Sequence, residues 1–215
     1  FEDSACALGA KIGETHEGCF GNPSAVSFHP RKSITTGEGG MILTSDVELM
    51  EHVRKLRSHA ASLSEIQRHQ NKGYLLPDYD ELGYNYRMSN IVAGIGRAQL
   101  QVLEDRVAAR RAVFERYQEA LGDLPGVGFM PEAPYGRSNR WLTVMTLDSD
   151  ITSVRPMQII NAMAAENIES RPVWKPMHVQ PLFAGNLYFT HEDGRSFSDQ
   201  LFAPRLCLPS GSSLT

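Results

Sequence analysis

Cysteine is scarce: Cys6, Cys19 and Cys207 are the only three in 215 residues. They are odd in number, widely spaced and form no Cys-x-x-Cys pair, which argues against both a disulfide framework and a thiolate zinc site. No metal site is expected, and the pattern is that of reduced thiols in a cytoplasmic protein, each behaving as a small apolar side chain. An excess of positive charge is also lacking. The formal net charge is −4, so no basic face recommends nucleic acid as a partner. No apolar run is long enough to cross a bilayer, and the first residues lack the features of a signal peptide. A membrane partner is not expected either. There is no internal repeat, no low-complexity tract and no initiating methionine. Both ends read as cuts through structured regions, so the expectation is a piece of a longer polypeptide.

What is present supports a sizeable core, since 41% of the residues are hydrophobic. The run "PSAVSFHP" carries Ala25, Val26 and Phe28 and suits a short, mostly buried strand. "GEGG" (37–40) is turn material, and "MILTS" reads as a second strand. Lys32 therefore belongs to the loop of a hairpin, beside packed structure. Ser45-Asp46 offers an N-cap for a helix reaching about Arg57, with Leu49, Met50, Val53 and Leu56 on one face. Residues 59–84 lack a sustained period, as functional or mobile segments do.

From Ser89 the apolar spacing gives one long helix or two in series, and Gly94 and Gly96 there predict close packing against another backbone. "LPGVGFMPEAPYG" breaks the pattern, and a boundary is placed there, giving a first domain over 1–125 and a second over 126–215. The second reads as strand (RWLTVMTLD), capped helix (TSVRPMQIINAMAAENI), strand into loop (ESRPVWKPMH) and a short terminal helix (RSFSDQLFAPRLC). That order predicts a small α/β domain.

Lys32 is the residue with the clearest chemical promise. It is followed by Ser33, Thr35 and Thr36, hydroxyls able to hold a phosphate, and preceded by Ser27 and by His29, which reads as a partner of the loop backbone. Asp3 lies one α/β step upstream. A lysine, a carboxylate at a strand end and a hydroxyl for phosphate are the minimum set for pyridoxal 5'-phosphate. The bland alternative for Lys32 is a solvated loop lysine. Trp174 taken alone reads as core, Asn85 as a possible cap of the helix near Ser89, and His178 as open between structure and function.

The segments "EDSACALGAKI", "SFHPRKSITTGEGG" and "ELGYNYRMSNIVAGIGRAQLQVLE" resemble the sugar aminotransferases of the DegT/DnrJ/EryC1/StrS family. "NRWLTVMTLD" and "ESRPVWKPMHVQPLF" are similar to its bacillosamine-type branch, and the resemblance covers almost the whole chain. It implies an α/β chain that is part of a fold type I transferase (aspartate-aminotransferase-like), with a truncated small C-terminal α/β domain. It implies pyridoxal phosphate as cofactor, with Lys32 as the Schiff-base lysine and base, Asp3 against the pyridine nitrogen and Ser27 on the phosphate. Asn85 would reach the cofactor of a neighbouring subunit, making a homodimer with shared sites. His178, Trp174 and Arg140 would face the nucleotide sugar. Cys6 stands where the family often has Gln or Glu, beside the cofactor ring. The implied reaction moves an amino group from glutamate to C4 of a nucleotide-linked 4-keto-6-deoxy sugar. Sugar dehydratases of the same family carry histidine in place of the lysine, so Lys32 argues against dehydration. A non-catalytic fragment that has lost the cofactor is the alternative.

Overall fold

Residues 1–61, 78–190 and 194–214 are described by a computed structural model. They divide into two compact units, Phe1–Glu104 and Asp105–Thr215. Among the described residues no helix is long and apolar enough to cross a membrane.

The first unit is built on a three-stranded sheet in the order β1–β4–β5, with β1 at Glu2–Asp3, β4 at Ser24–Ser27 and β5 at Gly40–Leu43. β1 runs parallel to β4 with Asp3 opposite Ala25, and β4 pairs antiparallel with β5 from Ser24–Leu43 to Ser27–Gly40. The two-residue strands β2 (Lys11–Ile12) and β3 (Thr15–His16) form a small antiparallel hairpin between β1 and β4. Alternation sets the faces of β4: Ser24 and Val26 are buried, while Ala25 and Ser27 are half-buried on the other side. The hairpin with Lys32 in its loop is as the alternation predicts.

Helix α1 (Val47–Leu56) starts where Asp46 accepts the Leu49 N–H, and α2 (Asn90–Leu100) starts where Ser89 accepts the Val92 N–H. Ser89 thus caps its own helix, and Asn85 does not. Asn85 pairs instead with Ser58 across a short bridge, flanked by main-chain bonds from Tyr84 to Leu56 and from Tyr86 to Arg57. Gly83 is required here, because a Cβ would lie 2.2 Å from the Ala60 nitrogen. Of the irregular segment 59–84, residues 62–77 lie outside the described residues.

Gly96 packs closely, but against a side chain and not the backbone that the sequence suggests: a Cβ there would stand 2.8 Å from Thr36 Cγ2. Gly94 departs from the prediction, since a Cβ would meet nothing within 4 Å among the described residues. Two residues apart on a helix are about 200° apart in azimuth, so only one of the pair can face the loop.

Helix α3 (Leu103–Leu121) opens at the division between the units. The sequence places this boundary near residue 125 and groups the long helices with the first domain. The compact units group most of α3 with the second, because Tyr117 and Leu121 pack on that unit's core. That unit contains β6 (Val127–Phe129), β7 (Gly136–Arg137), β8 (Thr143–Leu147), α4 (Pro156–Ala165), β9 (Arg171–Pro172), α5 (Phe197–Phe202) and β10 (Arg205–Leu208). Its antiparallel sheet runs β6–β8–β10–β9. Met145, Leu147, Leu206 and Leu208 form the buried cluster, covered by Ile159, Ile160 and Met163 of α4.

One reading needs correction. "RSFSDQLFAPRLC" is a helix only over Phe197–Phe202, and Arg205–Leu208 is a strand between β8 and β9. Pro204 halts the helix, and both faces of the strand are covered, so its apolar residues do not alternate visibly.

Candidate active site

Parallel pairing of β1 and β4 places Asp3, Ala25 and Ser27 on one face of the sheet, and Glu2, Ser24 and Val26 on the other. The reactive face lies at the carboxyl ends of two parallel strands, where ligands of α/β sheets bind. Asp3 Oδ1 accepts the Ala5 N–H at 3.0 Å, and Ser27 Oγ accepts the His29 N–H at 3.3 Å. The loop after β4 turns at Lys32, whose N–H donates to His29 O at 3.0 Å. The turn brings Lys32 Nζ to 2.9 Å from Cys6 Sγ, three residues beyond Asp3. Asp3, Cys6, Ser27 and Lys32 thus all belong to the first unit, on β1 and β4 or in the segments that follow them, half-buried or exposed.

The opposite face of β1 carries a residue not singled out in the sequence. Glu2 accepts hydrogen bonds from Gly18 N (2.5 Å), Gly21 N (2.6 Å), Phe20 N (2.9 Å) and the hydroxyls of Ser4 and Ser24 (both 2.9 Å). Burial alone would raise its pKa, but the N–H groups of Gly18 and Gly21 and the two hydroxyls outweigh it and hold the carboxyl at about 2. Gly21 must lack a side chain, because a Cβ would lie 2.3 Å from Glu2 Cβ. This fixed carboxylate anchors the strand on which Asp3 is the next residue.

A second unforeseen residue is Gln99 of α2. Its Oε1 accepts the Thr35 N–H at 3.2 Å and its Nε2 donates to Thr35 O at 2.5 Å, clamping the lysine loop from both sides of one residue. The hydroxyls expected to hold a phosphate are engaged within the loop. Thr35 Oγ1 donates to Phe28 O and Thr36 Oγ1 to Glu38 O, at 2.9 and 2.7 Å. Ser33 is buried. Ser27 is the hydroxyl left on the reactive face.

The other named residues lie elsewhere. Asn85 is exposed on the Ser58 bridge, and its two chain neighbours, Tyr84 and Tyr86, stack their rings on each other. Arg140, Trp174 and His178 belong to the second unit. Arg140 is 9% exposed; its guanidinium lies 3.6 Å from the Phe114 ring centre, and its Nη1 donates to Met130 O at 2.9 Å. It therefore presents packing rather than a free cationic tip. Trp174 is 67% exposed and stacks on Trp141. His178 Nε2 lies 2.9 Å from Asp199 Oδ1, and its ring stacks on Tyr188 at 3.7 Å. The His178 contact is the first cause holding the Asp199 carboxyl below its ordinary range, helped by Ser196.

The Asp3, Cys6, Ser27 and Lys32 group fits pyridoxal phosphate in chemistry: an amine for an aldehyde, a carboxylate for a pyridinium nitrogen and a hydroxyl for a phosphate, the last two on one face of the sheet.

Comparison with known proteins agrees. The DegT/DnrJ/EryC1/StrS aminotransferase family matches residues 1–215. EpsN of Bacillus subtilis (strain 168), whose name assigns it provisionally as a pyridoxal phosphate-dependent aminotransferase, is 46% identical over 214 residues, covering 100% of this chain and 52% of EpsN. GDP-perosamine synthase of Caulobacter vibrioides is 38% identical over 85% of this chain and 47% of its own. A solved DegT DnrJ EryC1 StrS aminotransferase from Brucella abortus superimposes with a TM-score of 0.77 at 28% identity, covering 99% of this chain and 52% of that one. The chain spans about half the length of the curated relatives it matches. Its fold is that of the fold type I pyridoxal phosphate enzymes, and the chain belongs to the DegT/DnrJ/EryC1/StrS aminotransferase family.

Proposed function

We propose that the protein carrying this chain is a pyridoxal phosphate-dependent aminotransferase that moves an amino group from glutamate to C4 of a nucleotide-linked 4-keto-6-deoxy sugar. The observation that carries the proposal is the approach of Lys32 Nζ to Cys6 Sγ at 2.9 Å, in the segments that follow β4 and β1, with Asp3 and Ser27 on one face of those parallel strands. Bound there, the cofactor supplies an aldehyde that carries amino groups and a ring that withdraws electrons. Lys32 would hold the cofactor through its amine, the aldehyde oxygen leaving as water, and would serve as the base that takes up and returns protons. Asp3 keeps the ring nitrogen protonated, Ser27 donates its hydroxyl to the phosphate, and the Cys6 thiol lies beside the ring. Asn85, exposed on its bridge, is directed to the cofactor of a second subunit in a homodimer. His178 and Trp174 serve the nucleotide-sugar end, and Arg140 supports it by holding the main chain of Met130.

The test is to mix the full-length protein with pyridoxal phosphate and record visible absorbance. The expected result is a yellow complex whose band disappears in Lys32→Ala, with borohydride fixing the cofactor mass on the Lys32 peptide. Glutamate and a panel of 4-keto nucleotide sugars should then yield 2-oxoglutarate. The alternative reading is a non-catalytic remnant that has lost cofactor binding. A colourless protein indifferent to the cofactor would select it.

A further inference from the structure

Cys6 and Lys32 both end in nucleophilic atoms, and the fold presses those atoms together. Lys32 Nζ lies 2.9 Å from Cys6 Sγ. Nitrogen donors ordinarily stand about 2.9–3.0 Å from an oxygen acceptor, and sulfur is a larger atom, so the contact is tight. A thiol is also a weak acceptor, which makes hydrogen bonding alone a poor account of it. Both main chains are pinned. Cys6 sits in the turn after β1 that is closed by the Ala7 N–H on Ser4 O at 3.1 Å, and Ser4, 1% exposed, donates its own N–H to Ala25 O at 2.9 Å. Lys32 donates its N–H to His29 O, and its loop is tied by the Thr36 N–H to Phe28 O and clamped at Thr35 by Gln99.

The three thiols of the chain stand in different surroundings. Cys207 is buried, and burial pushes its thiol pKa up, which leaves it an inert packing group. Cys19 and Cys6 are both exposed, so a dissolved oxidant reaches either. Cys6 adds to exposure an amine already inside the about 3–3.5 Å range from which atoms held side by side react.

We propose that Cys6 and Lys32 form a peroxide-sensitive modification site, joined on oxidation by a reversible sulfenamide bond. Sγ attacks one oxygen of hydrogen peroxide, the O–O bond breaks, and sulfur becomes a sulfenic acid as one water leaves. The lone pair of the Lys32 amine then attacks Sγ, the S–O bond breaks, and the hydroxyl departs with an amine proton as a second water. Sulfur has lost two electrons and the peroxide has gained them. Two equivalents of a small thiol reverse the step, returning thiol and amine and leaving as a disulfide. The bond itself stands apart from the aminotransferase reading, whereas its consequence rests on it: a nitrogen tied to sulfur cannot take an aldehyde. Oxidant and cofactor thus compete for one atom. The same bond keeps Cys6 from climbing to the irreversible sulfinic acid.

To test this, the full-length protein, reduced and freed of cofactor, is treated with equimolar hydrogen peroxide, alkylated, digested and analysed by mass spectrometry. The expected product joins the Cys6 and Lys32 peptides at two hydrogens below their summed mass, disappears on dithiothreitol and forms ahead of any modification of Cys19. Protein unfolded in urea before the peroxide should give no such link, because the proximity is lost. Lys32→Arg should instead hold Cys6 as a sulfenic acid that dimedone traps. Cofactor uptake, read as visible absorbance, should fall in proportion to the linked fraction and recover with the reductant, and in Cys6→Ser it should ignore peroxide. Cys6 left as an unmodified thiol in the folded wild type overturns the proposal. So does Cys6 trapped by dimedone or carried to sulfinic acid with Lys32 unlinked, or oxidation of Cys19 ahead of Cys6. A linked protein that ignores the cofactor keeps the modification site and removes the aminotransferase reading. A yellow protein that never forms the link does the reverse.

Discussion

Truncating Gln99 tests whether the lysine loop is held from outside itself. In Gln99→Ala, Thr35 loses an acceptor at 3.2 Å and a donor at 2.5 Å in one step. Each such bond contributes about 0.5–1.5 kcal/mol net, so the pair is worth about 1–3 kcal/mol. Alanine is the better helix former by a few tenths of a kcal/mol, which offsets part of the loss in α2. The expected net cost is about 1–2 kcal/mol, roughly a 5- to 30-fold rise in the open population of the loop. Hydrogen exchange at the Thr35 amide is the direct assay, because loops open locally before the molecule unfolds. Its protection should fall by that factor, and urea unfolding of the first unit should shift accordingly. Gln99→Glu keeps an acceptor for the Thr35 N–H but sets a carboxylate against Thr35 O, so it should fare no better than alanine. If Gln99→Ala exchanges Thr35 at the wild-type rate, the clamp is incidental and the loop is held by its own threonines.

Leu206→Ala removes the central apolar side chain of the second unit, fully buried between β8 and β9, and should cost about 2–5 kcal/mol in urea unfolding. A loss under about 1 kcal/mol would refute the packing described, and Leu206→Met should cost less than alanine does. Acid should destabilise the fold in a defined window. Glu132 is held at about 2, first by the Arg111 hydrogen bonds and then, against an opposing burial effect, by the Ser138 N–H; Glu2 is also near 2. Both carboxyls ordinarily titrate near 4.5. A depressed carboxylate stabilises fully above its unfolded value, and that contribution disappears as pH falls from about 4.5 to about 2. Thermal midpoints should therefore decline across that window, less steeply in Glu132→Gln, and identical slopes in the two proteins would contradict the assignment.

Local chemistry was legible in the sequence where a residue's partner lies nearby in the chain. Asp46 caps the helix that its position announces, and the alternation around Val26 gave the hairpin that carries Lys32, whereas the cap of the helix at Asn90 is Ser89 and not Asn85. What escaped depends on distant main chain. The donors to Glu2 come from Gly18, Phe20 and Gly21, backbone groups that no side-chain pattern announces. The Gln99 clamp joins residues 64 apart, and a glutamine on a helix surface looks like any other. Arg205–Leu208 passed for a helix tail because it is covered on both sides and follows a real helix without a polar break. The threonines after Lys32 invited a phosphate on composition, yet the tightness of the loop consumes them.

Glu2 has a further consequence for which changes the chain can tolerate. Surface stretches rich in glycine ordinarily accept extra residues with little penalty. The stretch from Gly18 to Gly21 should refuse them, because its amides are tailored to a single oxygen pair on the rear of β1. One inserted residue would throw those amides out of step and let the strand drift, carrying Asp3 with it. Length in that stretch, as much as its glycines, is what keeps Asp3 in place.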